Sequence, residues 1–369
     1  MHAAVAALAA VLVLTLAPGD APAADPCKAA CKSTRKGCLR EAAETFAAAR
    51  KGCRGLEPSP RKTCRGTAFV DRSNGRAACR TAFRSCRATC DGGGGGGDRC
   101  RGSSFGDWRA TVNGFRGLAG LPPVAENPDW SAGAAAHAKY AVKEDVVGHS
   151  ENPISPFFSE AGLLAAQNGN VAGTSDAHPP VAWAVDLWMT GPFHAIGVLD
   201  PVLATSGYGA YSEADGGDVQ SAAVLDVIRG RTGGDLGLPF PVVFPGNGTT
   251  LPLGRYAGGE FPDPLASCPG YTPPTGPPLL VLAGPSGTLT ALGVTSLLRD
   301  GTPVAHCVYD GGTYVNPDAG SQSTARNVLA ARSAVVVLPR EPLVQGAVYD
   351  VSVVMNGAVV GWRFTHDCP

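Results

Sequence analysis

Apolar residues first recur at helical spacing at Trp108, Val112, Phe115 and Leu118, which predicts a helix starting near Asp107 and stopped by Pro122-Pro123. Asn127-Pro128-Asp129 marks a new helix start, and the Ala-rich run through Ala134, Ala138 and Ala141 carries that helix onward. Residues 142–180 read as loop-rich, with a short helix around Gly162–Gln167. A third helix is expected from about Pro180 to Met189, broken at Gly191-Pro192. Gly207–Tyr211 and Ala222–Ile228 then have the pattern of two strands separated by an acidic, Gly-rich turn. Helices followed by strands predict an α+β layered domain over residues 107–228.

Residues 229–277 are dense in Gly and Pro and lack periodicity, and read as an ordered connector of coil and short strands. Beyond it, Leu279–Leu282, Leu289–Leu297, Pro303–Tyr309, Ala334–Leu338, Val348–Val354 and Val359–Thr365 are short apolar or alternating runs. They predict an all-β region, a small Ig-like β-sandwich over residues 278–369.

Twelve cysteines add a second pattern. Cys27, Cys31, Cys38 and Cys53 mirror Cys64, Cys79, Cys86 and Cys90 about a centre between Pro58 and Ser59, inside a turn composition. Two antiparallel helices rise equally per residue, so positions equidistant from their turn face each other. The mirror predicts Cys27–Cys90, Cys31–Cys86, Cys38–Cys79 and Cys53–Cys64 in a disulfide-stapled α-helical hairpin over residues 25–90. No CxxC pair or supporting histidine there favours zinc instead. Cys268–Cys307 would pin the first strand of the sandwich to a middle one, which leaves Cys100–Cys368 as the sixth pair.

Charge separates the same parts. Residues 25–90 hold 16 Lys and Arg against 5 Asp and Glu; residues 91–369 hold 14 against 25, so the net charge of −1 hides a basic module and an acidic body. The basic module suits an anionic envelope component, or it is a solvated surface, and no specific nucleic-acid signal accompanies it. Six consecutive glycines make residues 91–106 a flexible linker. Residues 1–24, an apolar run ending in Ala21-Pro22-Ala23-Ala24, read as a signal peptide. With no other run long enough to span a bilayer, the mature chain is expected to be secreted or held in the cell envelope.

Asn113-Gly-Phe-Arg116, Ala136-His137-Ala138-Lys139-Tyr140, Gly148-His149-Ser150-Glu151 and Trp188-Met189-Thr190-Gly191-Pro192-Phe193-His194 follow in that order, with Gly207-Tyr208-Gly209 after them. Together they resemble the CAP superfamily, which groups cysteine-rich secretory proteins, venom allergens and plant pathogenesis-related proteins with exported bacterial proteins. The Trp-Met to His194 segment is similar to that of the bacterial secreted branch, with Gly191 in place of the usual Ser.

The resemblance implies an α-β-α sandwich whose cleft is lined by two histidines and two acids. His149 and His194 match the histidines, Glu160 lies where the first acid belongs, and Asp186 is the candidate for the second. Those four would hold a divalent ion such as Zn²⁺, or form a hydrogen-bonded polar cleft. His149 beside Glu151 also reads as a local pair, and His137 and Trp183 as core or flanking positions. His178 and His306 read as loop and strand residues without partners.

The apolar edge at Pro153–Leu164, with Phe157 and Phe158, is either core or a surface for a lipid or protein ligand at the cleft. The expected function is extracellular or envelope binding. The alternative is a metal-assisted, protease-like hydrolase with His149, Glu160 and His194 as catalytic candidates, although no Gly-x-Ser-x-Gly elbow surrounds Ser150 or Ser159.

Overall fold

A computed structural model describes residues 26–55, 79, 102–103, 105–233 and 237–368. The chain divides into two units, residues 1–93 and 94–369. In the first, α1 (Pro26–Gly52) runs into a 3₁₀ turn, Cys53–Gly55. Lys32, Lys36, Arg40, Arg50 and Lys51 are exposed along it. Cys38 and Cys79 form a disulfide with Cα atoms 5.7 Å apart, and Cys53 is buried and disulfide-bonded. The rest of the expected second arm, including Cys64, Cys86 and Cys90, lies outside the described residues, as do the side chains of Cys27 and Cys31.

The second unit begins with α2 (Trp108–Leu118), whose start is set by the Asp107 carboxylate accepting the Ala110 N–H at 2.8 Å. Val112 and Phe115, one turn apart, are fully buried. A two-residue strand β1 (Ala125–Glu126) leads to α3 (Pro128–Lys143), capped by Asn127 with Pro128 in its first turn. Ser159 caps α4 (Glu160–Gln167) by accepting the Gly162 N–H at 3.0 Å. The next element is β2 (Gly169–Thr174), followed by α5 (Trp183–Thr190) and α6 (Pro192–Val198). Gly191 between those two helices is extended, and Pro192 starts the second. The short β3 (Thr205–Ser206) pairs in parallel with β1, and β4 (Tyr208–Ser212) and β5 (Ser221–Asp226) follow.

The loop expected over residues 142–180 therefore contains a strand. Gly169-Asn-Val-Ala-Gly-Thr carries too few β-branched residues to announce it, but β5 lends it a full antiparallel ladder from Gly169↔Asp226 to Thr174↔Ser221. β4 pairs along the other side, giving the order β2-β5-β4.

Every residue of β5 is buried. Val224 packs with Ala134, Ala165 and Ala166 of α3 and α4, and Ala222 with Ala138 and Ala141. Ala223 and Leu225, on the opposite face, join Val185, Trp188 and Ile196 of α5 and α6. The sheet thus lies between two helical layers. Gly209 lets α3 rest directly on β4, for a Cβ there would lie 2.0 Å from the Ala135 nitrogen.

In the C-terminal part, β6 (Val242–Phe244) and β7 (Thr249–Leu251) come from the Gly/Pro-rich segment, each added to a different sheet. They are followed by β8 (Leu279–Leu282), β9 (Leu292–Arg299), β10 (Thr302–Pro303) and β11 (His306–Asp310). The last elements are α7 (Ala319–Ala330), β12 (Ala334–Pro339), β13 (Val348–Met355) and β14 (Ala358–His366). One sheet has the order β10-β9-β13-β14-β7 and the other β11-β12-β8-β6.

α7 corrects the all-β expectation for this region. Asp318 caps it by accepting the Ser321 N–H at 2.8 Å, and Ser321, Ala325 and Leu329 form its buried stripe at four-residue spacing. That stripe is short and built of small residues, so the strands on either side dominate the hydrophobic pattern. β7 also pairs in parallel with β14.

All residues of β8 and β12 are buried, which requires cover on both faces of their sheet. Cys268 is bonded to Cys307 on β11 with Cα atoms 5.6 Å apart. Cys368 is also disulfide-bonded, while Cys100 lies outside the described residues. One apolar cluster runs from Val112, Phe115 and Trp188 through Phe244 to Leu280, Val336, Val351 and Phe364, so the α+β layers and both C-terminal sheets share a core.

Candidate functional site

The two expected cleft histidines are tied to the same connection, the one between α4 and β2. His149 donates from Nδ1 to the carbonyl of Ala166, near the end of α4, at 2.7 Å. The backbone carbonyl of His194 accepts from the side-chain amide (Nδ2) of Asn170, at the start of β2, at 3.1 Å. Glu160 opens α4, six residues before Ala166, which at 1.5 Å per residue is about 9 Å along the helix. Its side chain is exposed. Asp186 on α5 faces elsewhere: Ser103 donates to it from its backbone N–H at 3.0 Å and from its hydroxyl at 2.5 Å. Burial outweighs those two hydrogen bonds and pushes the Asp186 pKa up to about 6.

No hydrogen bond or ion pair joins any two of His149, Glu160, Asp186 and His194 among the described residues. Nor do three or more His, Cys, Asp or Glu side chains there lie close enough together to hold a metal ion. The ligand set expected from the resemblance does not fit a metal centre as arranged. Three of its members, His149, Asp186 and His194, already bond other groups of the chain.

His194 has a partner the sequence did not indicate. Its Nδ1 lies 2.9 Å from Oε1 of Glu260, and the same oxygen accepts the His194 backbone N–H at 2.9 Å. The Glu260 side chain is buried, and the Glu260 N–H donates to the Tyr256 hydroxyl at 3.2 Å. Desolvation raises the Glu260 pKa, against the lowering effect of its bonds to His194. Among the described residues its second oxygen, Oε2, is buried without a hydrogen-bond partner of good geometry, as is the hydroxyl of Tyr309. The space for this carboxylate exists because residue 191 is glycine: a Cβ there would stand 2.6 Å from the Glu260 carboxyl carbon. No local signal could have found Glu260, which sits in Gly258-Gly259-Glu260-Phe261-Pro262, a segment without periodicity.

A second buried pair replaces the one expected between His149 and Glu151. The Glu151 carboxylate is 2.8 Å from Nδ1 of His137, with side-chain exposures of 0% and 1%. His137 donates from Nε2 to the Gly148 carbonyl at 2.9 Å, and Ser159 N–H donates to the other Glu151 oxygen at 2.9 Å. Here a signal existed. His137 lies three residues after Ala134 and four before Ala141 on the buried stripe of α3, and a polar group there demands a buried partner. This pair ties α3 to the loop that carries His149.

Arg116, part of the first motif, is fully buried on α2 and donates only to carbonyls: Pro122, Val198, Asp200 and Leu203, at 2.9–3.0 Å. Burial lowers its pKa to about 10. His306 is not partnerless: its ring nitrogens lie 3.0 Å from the Thr295 hydroxyl and 2.9 Å from the Val304 carbonyl. Along the apolar edge, Phe157 and Phe158 are half-buried, while Ile154 is 87% exposed.

Residues 109–225 match the family model described as CAP, the cysteine-rich secretory protein family, so this part of the chain carries a CAP domain. The match includes His149, Glu160, Asp186 and His194 and excludes Glu260. No curated protein matches the chain.

Proposed function

We propose that this is an exported binding protein in which the histidines and acids of the CAP domain hold loops together instead of running a reaction. The observation that carries the reading is that these side chains bond different parts of the chain and do not converge, with no group of three or more possible metal ligands among the described residues. His149 is bonded to Ala166, Asp186 to Ser103, and His194 to Glu260. A metal-assisted hydrolase needs those groups converging on an ion and a water. Among the described residues, neither histidine ring is hydrogen-bonded to a serine or cysteine that it could activate as a nucleophile. Binding then falls to the surface beside the cleft, where Ile154 and Leu164 are exposed, for a lipid or protein ligand. The C-terminal strands, expected as an Ig-like sandwich, serve as an accessory body, and the basic hairpin of residues 25–90 as an anchor on an anionic envelope component.

Zinc titration of the mature chain at neutral pH, followed by metal analysis after gel filtration, tests the site. The expected outcome is no stoichiometric retention. One equivalent of zinc, lost in both His149→Ala and His194→Ala, would establish the hydrolase-type centre instead. For the anchor, envelope association should fall on deleting residues 25–90 and on raising salt; association unchanged by either treatment removes that role.

A further inference from the structure

The Glu260 carboxylate is satisfied on one side only. Oε1 accepts from the backbone N–H and the ring Nδ1 of His194, each at 2.9 Å, while Oε2 is buried without a hydrogen-bond partner of good geometry among the described residues. The Tyr309 hydroxyl on β11 is unpartnered in the same way, on a residue 1% exposed. Tyr256, 2% exposed, accepts the Glu260 N–H on its hydroxyl oxygen at 3.2 Å, and its own O–H has no acceptor among the described residues.

Ring contacts bring these groups into one region. The Tyr309 ring lies 5.4 Å from that of Tyr314, and Tyr314 lies 5.4 Å from Phe193, the neighbour of His194. The Tyr314 hydroxyl donates to the carbonyl of Asp263, on the same short segment as Glu260. Burial, and after it the charge of Glu260, holds the hydroxyls of Tyr256 and Tyr309 well above the usual tyrosine range, which places that charge near each of them. Neither hydroxyl donates to the carboxylate directly. Two O–H donors and one carboxylate oxygen, complementary in kind, are thus buried side by side without bonding each other.

We infer that this region binds a buried water, which donates to Glu260 Oε2 and accepts from Tyr309 and Tyr256. Polar atoms at that depth cost free energy unless something bonds them, and one bond given with two taken suits an internal water. The chemistry disfavours other occupants: a divalent cation needs more oxygen ligands than these, and an anion would be repelled by the carboxylate. The water makes the clamp on His194 a relay. His194 is held by Glu260, and Glu260 through the water by Tyr309, so α6 of the CAP segment is tied to β11 of the C-terminal sheet. This holds whether or not the surface beside the cleft takes a ligand, and it goes beyond the function proposed above.

A crystal structure of the mature full-length chain, at a resolution that shows ordered water, tests the site. A density peak is expected within hydrogen-bond distance of both Glu260 Oε2 and the Tyr309 hydroxyl. In solution, water ¹⁷O relaxation dispersion should show fewer long-lived waters in Tyr309→Phe than in the unaltered chain. The same variant should raise the titration midpoint of Glu260, followed by its ¹³Cδ shift, by about half a pH unit or more, since the ionised carboxylate loses a bridged donor. A direct bond between Tyr309 and Glu260, no density between them, an unchanged ¹⁷O amplitude or an unmoved Glu260 midpoint would each overturn the inference. Should Tyr309→Phe fail to fold, the density in the unaltered chain decides alone.

Discussion

Gly191 and Glu260 share one space: the hydrogen of the glycine stands where any larger side chain would meet the carboxylate, since a Cβ at that position would lie 2.7 Å from Oε1 and 2.8 Å from Oε2. The glycine is extended (φ −107°), so its role is room and not backbone freedom. The Glu260 carboxylate fills that room and clamps His194 by ring and backbone together.

Gly191→Ala should therefore destabilise the chain by about 1–3 kcal/mol through overpacking. The cost should be largely absent in a Glu260→Ala background, because the clash is with that carboxylate. Urea unfolding of both single variants and the double variant measures the coupling, expected at about 1 kcal/mol or more. Additive effects would mean that the two residues do not compete for the same volume.

His194→Gln probes the same contact by pH. Burial raises the Glu260 pKa, so ionising this carboxylate in the folded chain costs stability as pH rises through the raised value. The His194 bonds oppose that cost. Removing the ring should thus cost little where the Glu260 carboxylate is protonated and about 3 kcal/mol at pH well above its raised pKa, in the manner of a buried charge stripped of its partner. A pH-independent loss would show that packing alone is affected.

Asp186 gives a second pH signature. Its pKa is raised from the usual 3.8 to about 6, so the folded chain holds this proton more tightly than the unfolded chain does. The associated stability is complete below pH 4 and is lost as pH climbs through 6, a difference of about 3 kcal/mol. Asp186→Asn should flatten the stability profile over that interval and raise the unfolding midpoint at pH 7.5. Profiles that stay parallel from pH 4 to 7.5 would contradict it.

Arg116→Met keeps the length and apolar stem but removes the guanidinium donors from the buried residues Val198, Asp200 and Leu203 and from the exposed Pro122; of these carbonyls, that of Asp200 keeps the Leu203 N–H. The unpaired carbonyls should cost more than about 3 kcal/mol. Hydrogen exchange should rise first at residues 198–203, which the guanidinium holds to α2. Retention of wild-type protection there would assign the stabilising role elsewhere.

Much of the architecture was legible because its causes are local. Asp107 and Asn127-Pro128 act within three residues of themselves, and the period of Val112 and Phe115 marks the buried face without reference to the rest of the chain. The runs at Leu279–Leu282 and Ala334–Leu338 announced buried strands in the same way. β2 escaped notice because β5, more than fifty residues later, supplies its hydrogen bonds. α7 escaped because its buried stripe is made of Ser321, Ala325 and Leu329, too weak a pattern beside the strands that flank it.

The site divides along the same line. By itself the sequence determined which titratable residues the CAP segment carries and which backbone turns present them, since both follow from residue type and near neighbours. Only the tertiary structure decided who bonds whom. Glu260 reaches His194 across 66 residues, and Glu151 takes His137 in place of its neighbour His149. Hydrogen bonds between side chains depend on where packed layers bring them, and a linear pattern carries no record of that distance.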